Sequence, residues 1–204
     1  SSAASDVYKR QHPYGVIESN DNNPTMQSNS NLSFTYNNPI HSISSAEGYE
    51  EDVMGATMDA YLNGFEDPRR AVFFALSSNG NYRGLRNGHK NGDIFKGDEG
   101  LSKPNIQQGT PYIWMTAAEV FFLRAEGALK QWDMKGTPEA LYKSGIRASF
   151  EQHGVKNVEN YLVSTKVPAR YPGFKASPSA PAPSDITVVW NTNSTKTVSY
   201  THLT

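Results

Sequence analysis

Thr116-Ala117-Ala118-Glu119-Val120-Phe121-Phe122-Leu123-Arg124-Ala125-Glu126-Gly127-Ala128, followed by Ala140-Leu141-Tyr142-Lys143-Ser144-Gly145-Ile146-Arg147-Ala148-Ser149-Phe150, decides the fold. Thr116-x-x-Glu119 has the spacing of a capping box, and Met115 just before it can pack on Val120 as a hydrophobic staple. Ala118, Phe122, Ala125, Leu129 and Trp132 then recur at steps of four and three, the repeat of one helix face. This predicts about four turns of helix with Trp132 in the core. Asp133 to Gly136 gives a short connection. Thr137 N-caps a second helix whose first position is Pro138, where the missing N–H breaks no hydrogen bond. Leu141, Gly145 and Ala148 make one stripe of that helix and Tyr142, Ile146 and Phe150 another, until Gly154 closes it. Helices joined by so short a turn run antiparallel, and Ala125, Ala128, Gly145 and Ala148 are small enough for close approach. The hairpin, residues 115–154, has the size of one tetratricopeptide-type pair of about 34 residues.

Outward from the hairpin the signals thin. Tyr49, Val53, Ala56 and Ala60 predict a helix over Ala46 to Asn63, with Ser45 as N-cap and Gly64 as its stop. Its early acids, Glu47, Glu50, Glu51 and Asp52, suit the positive end of the helix dipole better than a metal or proton-transfer role. Ala71 to Leu76 is apolar and predicts a strand, and Asn79 to Gly109 predicts loop and hairpin. The polar, Asn-rich run Tyr14 to Ser45, broken by Pro24 and Pro39, reads as a surface segment with one short strand at Leu32 to Tyr36. Downstream come a short helix within Val155 to Lys166, a Pro-rich connector over 167–184, and a last strand at Ile186 to Trp190. The fold class expected is therefore mainly α: a tetratricopeptide-like helical hairpin plus a loop-rich region with a few short strands.

Composition excludes several function classes. Among 204 residues there are 19 Lys+Arg and 20 Asp+Glu, so the positive surplus that drives phosphate-backbone binding is missing and nucleic acid is not an expected partner. The absence of cysteine excludes disulfides, thiolate zinc sites and cysteine nucleophiles within this sequence. Both ends carry a separate signature. The run Ser1 to Gln11 can be encoded by DNA whose reverse complement, read from its third base, encodes Val198 to Thr204. Residues 1–11 and 198–204 are accordingly expected to be translated sequencing adapter, with 12–197 a partial domain of a longer protein.

Four short motifs stand together in one order. The two helical segments quoted above resemble the tetratricopeptide helices of the SusD/RagB family. Asp67-Pro68-Arg69-Arg70 resembles that family's Asp-Pro-Arg after a short helix, and Tyr82-Arg83-Gly84 with Asn87-Gly88 resembles its following Tyr-x-Gly and Asn-Gly loop. Order and spacing agree across most of Ser33 to Phe150, and no sharp match follows Val155. The resemblance implies an outward-facing outer-membrane lipoprotein, its lipid anchor lying upstream of this sequence. It would sit over a SusC-like TonB-dependent transporter and deliver oligosaccharides, or in some members peptides, to it.

Sugar capture needs flat aromatic faces for the apolar side of a pyranose and amides or guanidinium groups for its hydroxyls. With the ligand platform that the resemblance places ahead of the capped helix, Tyr82 with Tyr112 or Trp114 become the stacking candidates. Asn81, Arg83, Arg86 and Asn87 become the polar ones. Aromatic residues just ahead of a helix also serve as packing anchors, and that reading stands beside the ligand one. Asn87-x-His89-x-Asn91-Gly92-Asp93-Ile94 reaching Asp98 echoes an EF-hand loop. Asparagine first, histidine third and aspartate in place of the closing glutamate favour a glycine-rich turn, so no metal and no cofactor is expected. No His-Glu-x-x-His, Gly-x-Ser-x-Gly or phosphate-binding glycine loop is present. Glu119 and Glu126, about 10 Å apart along one helix, suit a glycosidase pair only crudely. Non-catalytic glycan binding leads, with a protein-binding tetratricopeptide scaffold or a glycoside hydrolase domain as alternatives.

Overall fold

A computed structural model of the chain describes residues 17–28, 38–44, 52–88, 100–175 and 177–191. Among them the elements are helices α1 (Pro39–Ser44), α2 (Ala56–Gly64), α3 (Arg70–Phe73), α4 (Ala117–Leu129), α5 (Pro138–Gln152) and α6 (Val158–Leu162). A single 3-10 turn (Asn20–Asn22) and two two-residue strands, β1 (Thr25–Met26) and β2 (Tyr112–Ile113), complete the set. The fold is mainly helical. It divides into two compact units, one holding described residues 17–26 and 113–156, the other the remainder.

The first unit is the α4/α5 hairpin. Thr116 caps α4 by accepting the Glu119 N–H, Thr137 caps α5 by accepting the Ala140 N–H, and Pro138 opens α5. Gly154, at φ +64, closes it in a conformation that other residues reach only with strain. Ala118, Phe122 and Ala125 of α4 are buried, as are both stripes of α5, Leu141/Gly145/Ala148 and Tyr142/Ile146/Phe150. The Phe122 ring meets Tyr142 edge-on at 5.8 Å and lies over Gly145, where an added Cβ would come within 2.9 Å of it. Glycine at 145 is therefore the space the phenyl ring fills.

The polar N-terminal run binds back onto this hairpin. Asn20 donates to the Ala148 carbonyl at 2.9 Å and to Glu151 at 3.0 Å, while the Asn23 carboxamide accepts the Ala117 N–H at 2.7 Å. Asparagines here satisfy the ends of both helices, a role that composition alone reads as surface loop. Trp132 departs from expectation: α4 ends at Leu129, the chain turns at Lys130 and Gln131, and the indole is 59% exposed with the Lys130 ammonium 5.5 Å from its ring. The face periodicity holds only while the helix lasts.

In the second unit, α2 is shorter than predicted. Residues 52–55 are extended and α2 starts at Ala56 with Gly55 as N-cap. Backbone pairing overrides the helical spacing there: Met54 donates to Ser102 and accepts from Leu85, each at 2.8 Å, and Ala56 donates to Leu85 at 2.8 Å. The strand predicted over Ala71 to Leu76 is mostly the helical turn α3. The Asp67 carboxylate accepts the Arg69 N–H at 2.9 Å and Pro68 presets φ, so a turn begins before any ladder can form. Only Phe74 and Ala75 extend, against Lys103 to Asn105. Ile186 to Trp190 is not a strand either. Ile186 and Val188 are buried, but the segment is irregular, bending at Val188 and Val189, where Val189 donates to the Ser164 carbonyl at 2.9 Å. The short helix downstream of Val155 is α6. The predicted strand Leu32 to Tyr36, residues 89–99 of the calcium-like loop, the helix start at 46–51 and both expected adapter ends lie outside the described residues.

Candidate functional site

In the second unit, Asp59 of α2 is 3% exposed and organises the Tyr82-Arg83-Gly84 loop. Its carboxylate accepts the Gly84 N–H at 2.7 Å and the Asn63 amide at 2.8 Å, with the Arg83 guanidinium 3.6 Å away. Asn63 also donates to the Tyr82 carbonyl at 2.9 Å. Gly84 is there because nothing larger fits: an added Cβ would stand 2.6 Å from the Gly55 carbonyl oxygen. The Gly84 carbonyl in turn accepts the Tyr171 hydroxyl at 2.9 Å. Burial pushes the Tyr171 phenol above its ordinary value, which keeps that donor protonated.

Asp67, 2% exposed, anchors a second cluster in the same unit. It accepts from the Arg69 Nε at 3.0 Å, the Arg69 NH2 at 2.5 Å and the Tyr161 hydroxyl at 2.9 Å, and the Arg69 guanidinium lies 5.5 Å from the Tyr161 ring. Burial works against the Arg69 charge, but the hydrogen bonds and charge of Asp67 outweigh it and raise the pKa. The Tyr161 phenol is driven far up by burial and then by the Asp67 charge. Such a closed, fully bonded charge cluster is a fixture that ties α6 to the turn before α3.

Between the start of α2 and the Pro-rich segment opens a groove of about 390 Å³. Thr57, Met58, Arg86, Asn87, Tyr171 and Pro181 are among the residues that line it. The Pro-rich segment reaches the groove because it doubles back: Tyr171 bridges Ala180 and Phe174 bridges Ser177, with Lys175 at φ +47 in the turn between them. From sequence the segment reads as a connector. The nearest local signal is Pro172-Gly173, just ahead of the reversal.

The seven residues singled out from sequence fall into three situations. Arg86 and Asn87 are exposed and line the groove. Asn81, Tyr82 and Arg83 hold their own loop: the Asn81 side chain accepts from Ser77 at 2.8 Å, Arg83 faces Asp59, and one face of the half-buried Tyr82 ring is covered by the Arg70 guanidinium at 5.2 Å. Tyr112, half-buried, also belongs to this unit, whereas Trp114 belongs to the first, 68% exposed, with its backbone N–H donating to the Pro24 carbonyl at 2.9 Å. Among the described residues no three His, Asp or Glu side chains converge to hold a metal, and no helix is long and apolar enough to cross a membrane.

Residues 4–203 match the SusD-like family, described as Susd and RagB outer membrane lipoprotein. The chain belongs to the SusD-like family. Three solved SusD homologues have the same fold. One from Bacteroides thetaiotaomicron is 31% identical over 97% of this chain, with a TM-score of 0.81. One from Bacteroides uniformis is 32% identical over 98%, with a TM-score of 0.82. The third, a chitin-binding SusD homologue from Flavobacterium johnsoniae, is 32% identical over 97%, with a TM-score of 0.80. No curated protein sequence matches. The chain spans 42%, 41% and 41% of these three structures, about two fifths of each.

Proposed function

We propose that the protein to which this SusD-like chain belongs captures oligosaccharides, without catalysis, at the outer face of the outer membrane. It delivers them to a SusC-like TonB-dependent transporter while held at the membrane by a lipid anchor. The observation that carries this reading is the likeness, over nearly the whole chain, to a homologue that binds chitin. Two features of the chain support it. Trp114 offers a large, exposed indole of the kind on which a pyranose stacks. Arg86 and Asn87 offer guanidinium and carboxamide donors beside the apolar surface of Met58 and Pro181, the pairing of polar and apolar surface a sugar requires. Tyr82 and Tyr112, each half-buried, are further aromatic contacts, while Asn81 and Arg83 hold the loop that carries Arg86 and Asn87.

Affinity electrophoresis through gels carrying a panel of polysaccharides tests this. The expected result is retardation by at least one glycan, weakened by Trp114→Ala or by Arg86→Ala. Unretarded migration on every glycan would favour a scaffold that binds protein only, and release of reducing sugar would replace capture by hydrolysis.

A further inference from the structure

Three Asn-Gly pairs lie among the described residues: Asn63-Gly64, Asn79-Gly80 and Asn87-Gly88. An asparagine followed by glycine is open to attack by the glycine nitrogen on the asparagine's own side-chain carbonyl carbon, because no Cβ on the following residue shields that nitrogen. The reaction needs the glycine N–H free to lose its proton and the carboxamide free to turn. In the first pair the Asn63 carboxamide is tied by bonds of 2.8 Å to Asp59 and 2.9 Å to the Tyr82 carbonyl, and both residues lie within α2. In the second, the Gly80 N–H donates to the Ser77 carbonyl at 2.9 Å. Asn87 and Gly88 are both exposed, Gly88 sits at φ +80, and neither has a hydrogen bond among the described residues.

We infer that Asn87 is a site of spontaneous deamidation and isoaspartate formation, placed on the edge of the groove. Water or hydroxide takes the Gly88 N–H proton. The nitrogen then bonds to Asn87 Cγ, the Cγ–Nδ2 bond breaks, and ammonia leaves to give a five-membered succinimide. A water molecule opens that ring at one of its two carbonyls, yielding aspartate or, with one more carbon in the main chain, isoaspartate. No oxidant or reductant takes part. The product exchanges a neutral amide for a carboxylate beside Arg86, so the groove edge loses two N–H donors and gains a negative charge. The chemistry stands whether or not the groove takes a sugar.

The full chain, folded, is incubated in mildly alkaline buffer beside a urea-denatured control. Both are then digested with chymotrypsin and analysed by electron-transfer mass spectrometry, which separates aspartate from isoaspartate. The expected result is isoaspartate accumulating at Asn87 in the folded chain, several-fold faster than at Asn63 or Asn79, with the three pairs reacting alike once denatured. Product at Asn63 or Asn79 as fast as at Asn87 in the folded chain would overturn the inference. So would an unreacted Asn87 in folded protein whose denatured control has reacted.

Discussion

Gly64 ends α2 against the backbone of Pro168 and Ala169, and its replacement by alanine sets two opposing effects against each other. Alanine is the better helix former by about 1 kcal/mol. Its Cβ, however, would stand 2.1 Å from the Ala169 nitrogen and 2.5 Å from the Pro168 carbonyl carbon, where ordinary contact begins at 3.4 Å. Backbone cannot swing aside like the tip of a side chain, so the 168–169 segment must retreat by about 1.3 Å, the difference between 3.4 and 2.1 Å. Ala169 donates to the Ala60 carbonyl at 2.8 Å, and that bond would stretch toward 4 Å, past any useful length. Losing it costs about 0.5–1.5 kcal/mol, and displacing packed chain costs a further ~1–3 kcal/mol. Steric displacement wins, and Gly64→Ala should destabilise the unit by about 2 kcal/mol. Hydrogen exchange with urea titration reads both halves of the argument: the Ala169 amide should lose protection and the urea midpoint should fall. Unchanged protection at Ala169 with a raised midpoint would mean that helix propensity dominates and that the close approach has been misread.

Other perturbations follow from the buried clusters. Asp67→Asn leaves Arg69 buried without its counter-charge and should cost about 3 kcal/mol or more in urea unfolding. Tyr161 keeps its proton in the folded chain well above the ordinary tyrosine value of 10.0. Its contribution to stability is therefore whole below that pH and lost as pH rises beyond it, because the unfolded chain then ionises first. Tyrosinate absorbance recorded with circular dichroism should show late ionisation that accompanies unfolding, and Tyr161→Phe should reduce that component by one tyrosine. Gly145→Ala drives a methyl to within 2.9 Å of the Phe122 ring and should destabilise the hairpin by about 1 kcal/mol after the helix-propensity gain, with partial recovery when Phe122→Leu is added. Trp132→Ala should shift the urea midpoint little, since its indole is mostly exposed.

The hairpin was legible because each of its determinants is local. Thr116 and Thr137 cap within three residues, Pro138 and Gly154 mark the two ends of α5, and the stripes of α5 repeat with the helix itself. Where the deciding interaction is remote, reading failed. Nothing near Met54 announces that its backbone pairs with Leu85 and Ser102, so the helical spacing runs on across it. Nothing near Trp132 shows that α4 has ended, and its spacing mimics a core position. The Asp-Pro-Arg and Tyr-x-Gly motifs were recognisable as words, but their function as the Asp67/Arg69/Tyr161 and Asp59/Gly84 clusters depends on partners 94 and 25 residues away. For the candidate site, residue chemistry pointed at Arg86 and Asn87. The Pro-rich lining came from a segment whose doubling back no turn motif at 174–177 announces.

Saturation-transfer NMR of soluble chito-oligosaccharides and other short glycans mixed with the chain tests capture most directly. The account predicts magnetisation reaching the ring protons of at least one sugar, strongest on one apolar face as stacking requires, and falling sharply in the Trp114→Ala protein. No transfer to any sugar from the folded wild-type chain would contradict it.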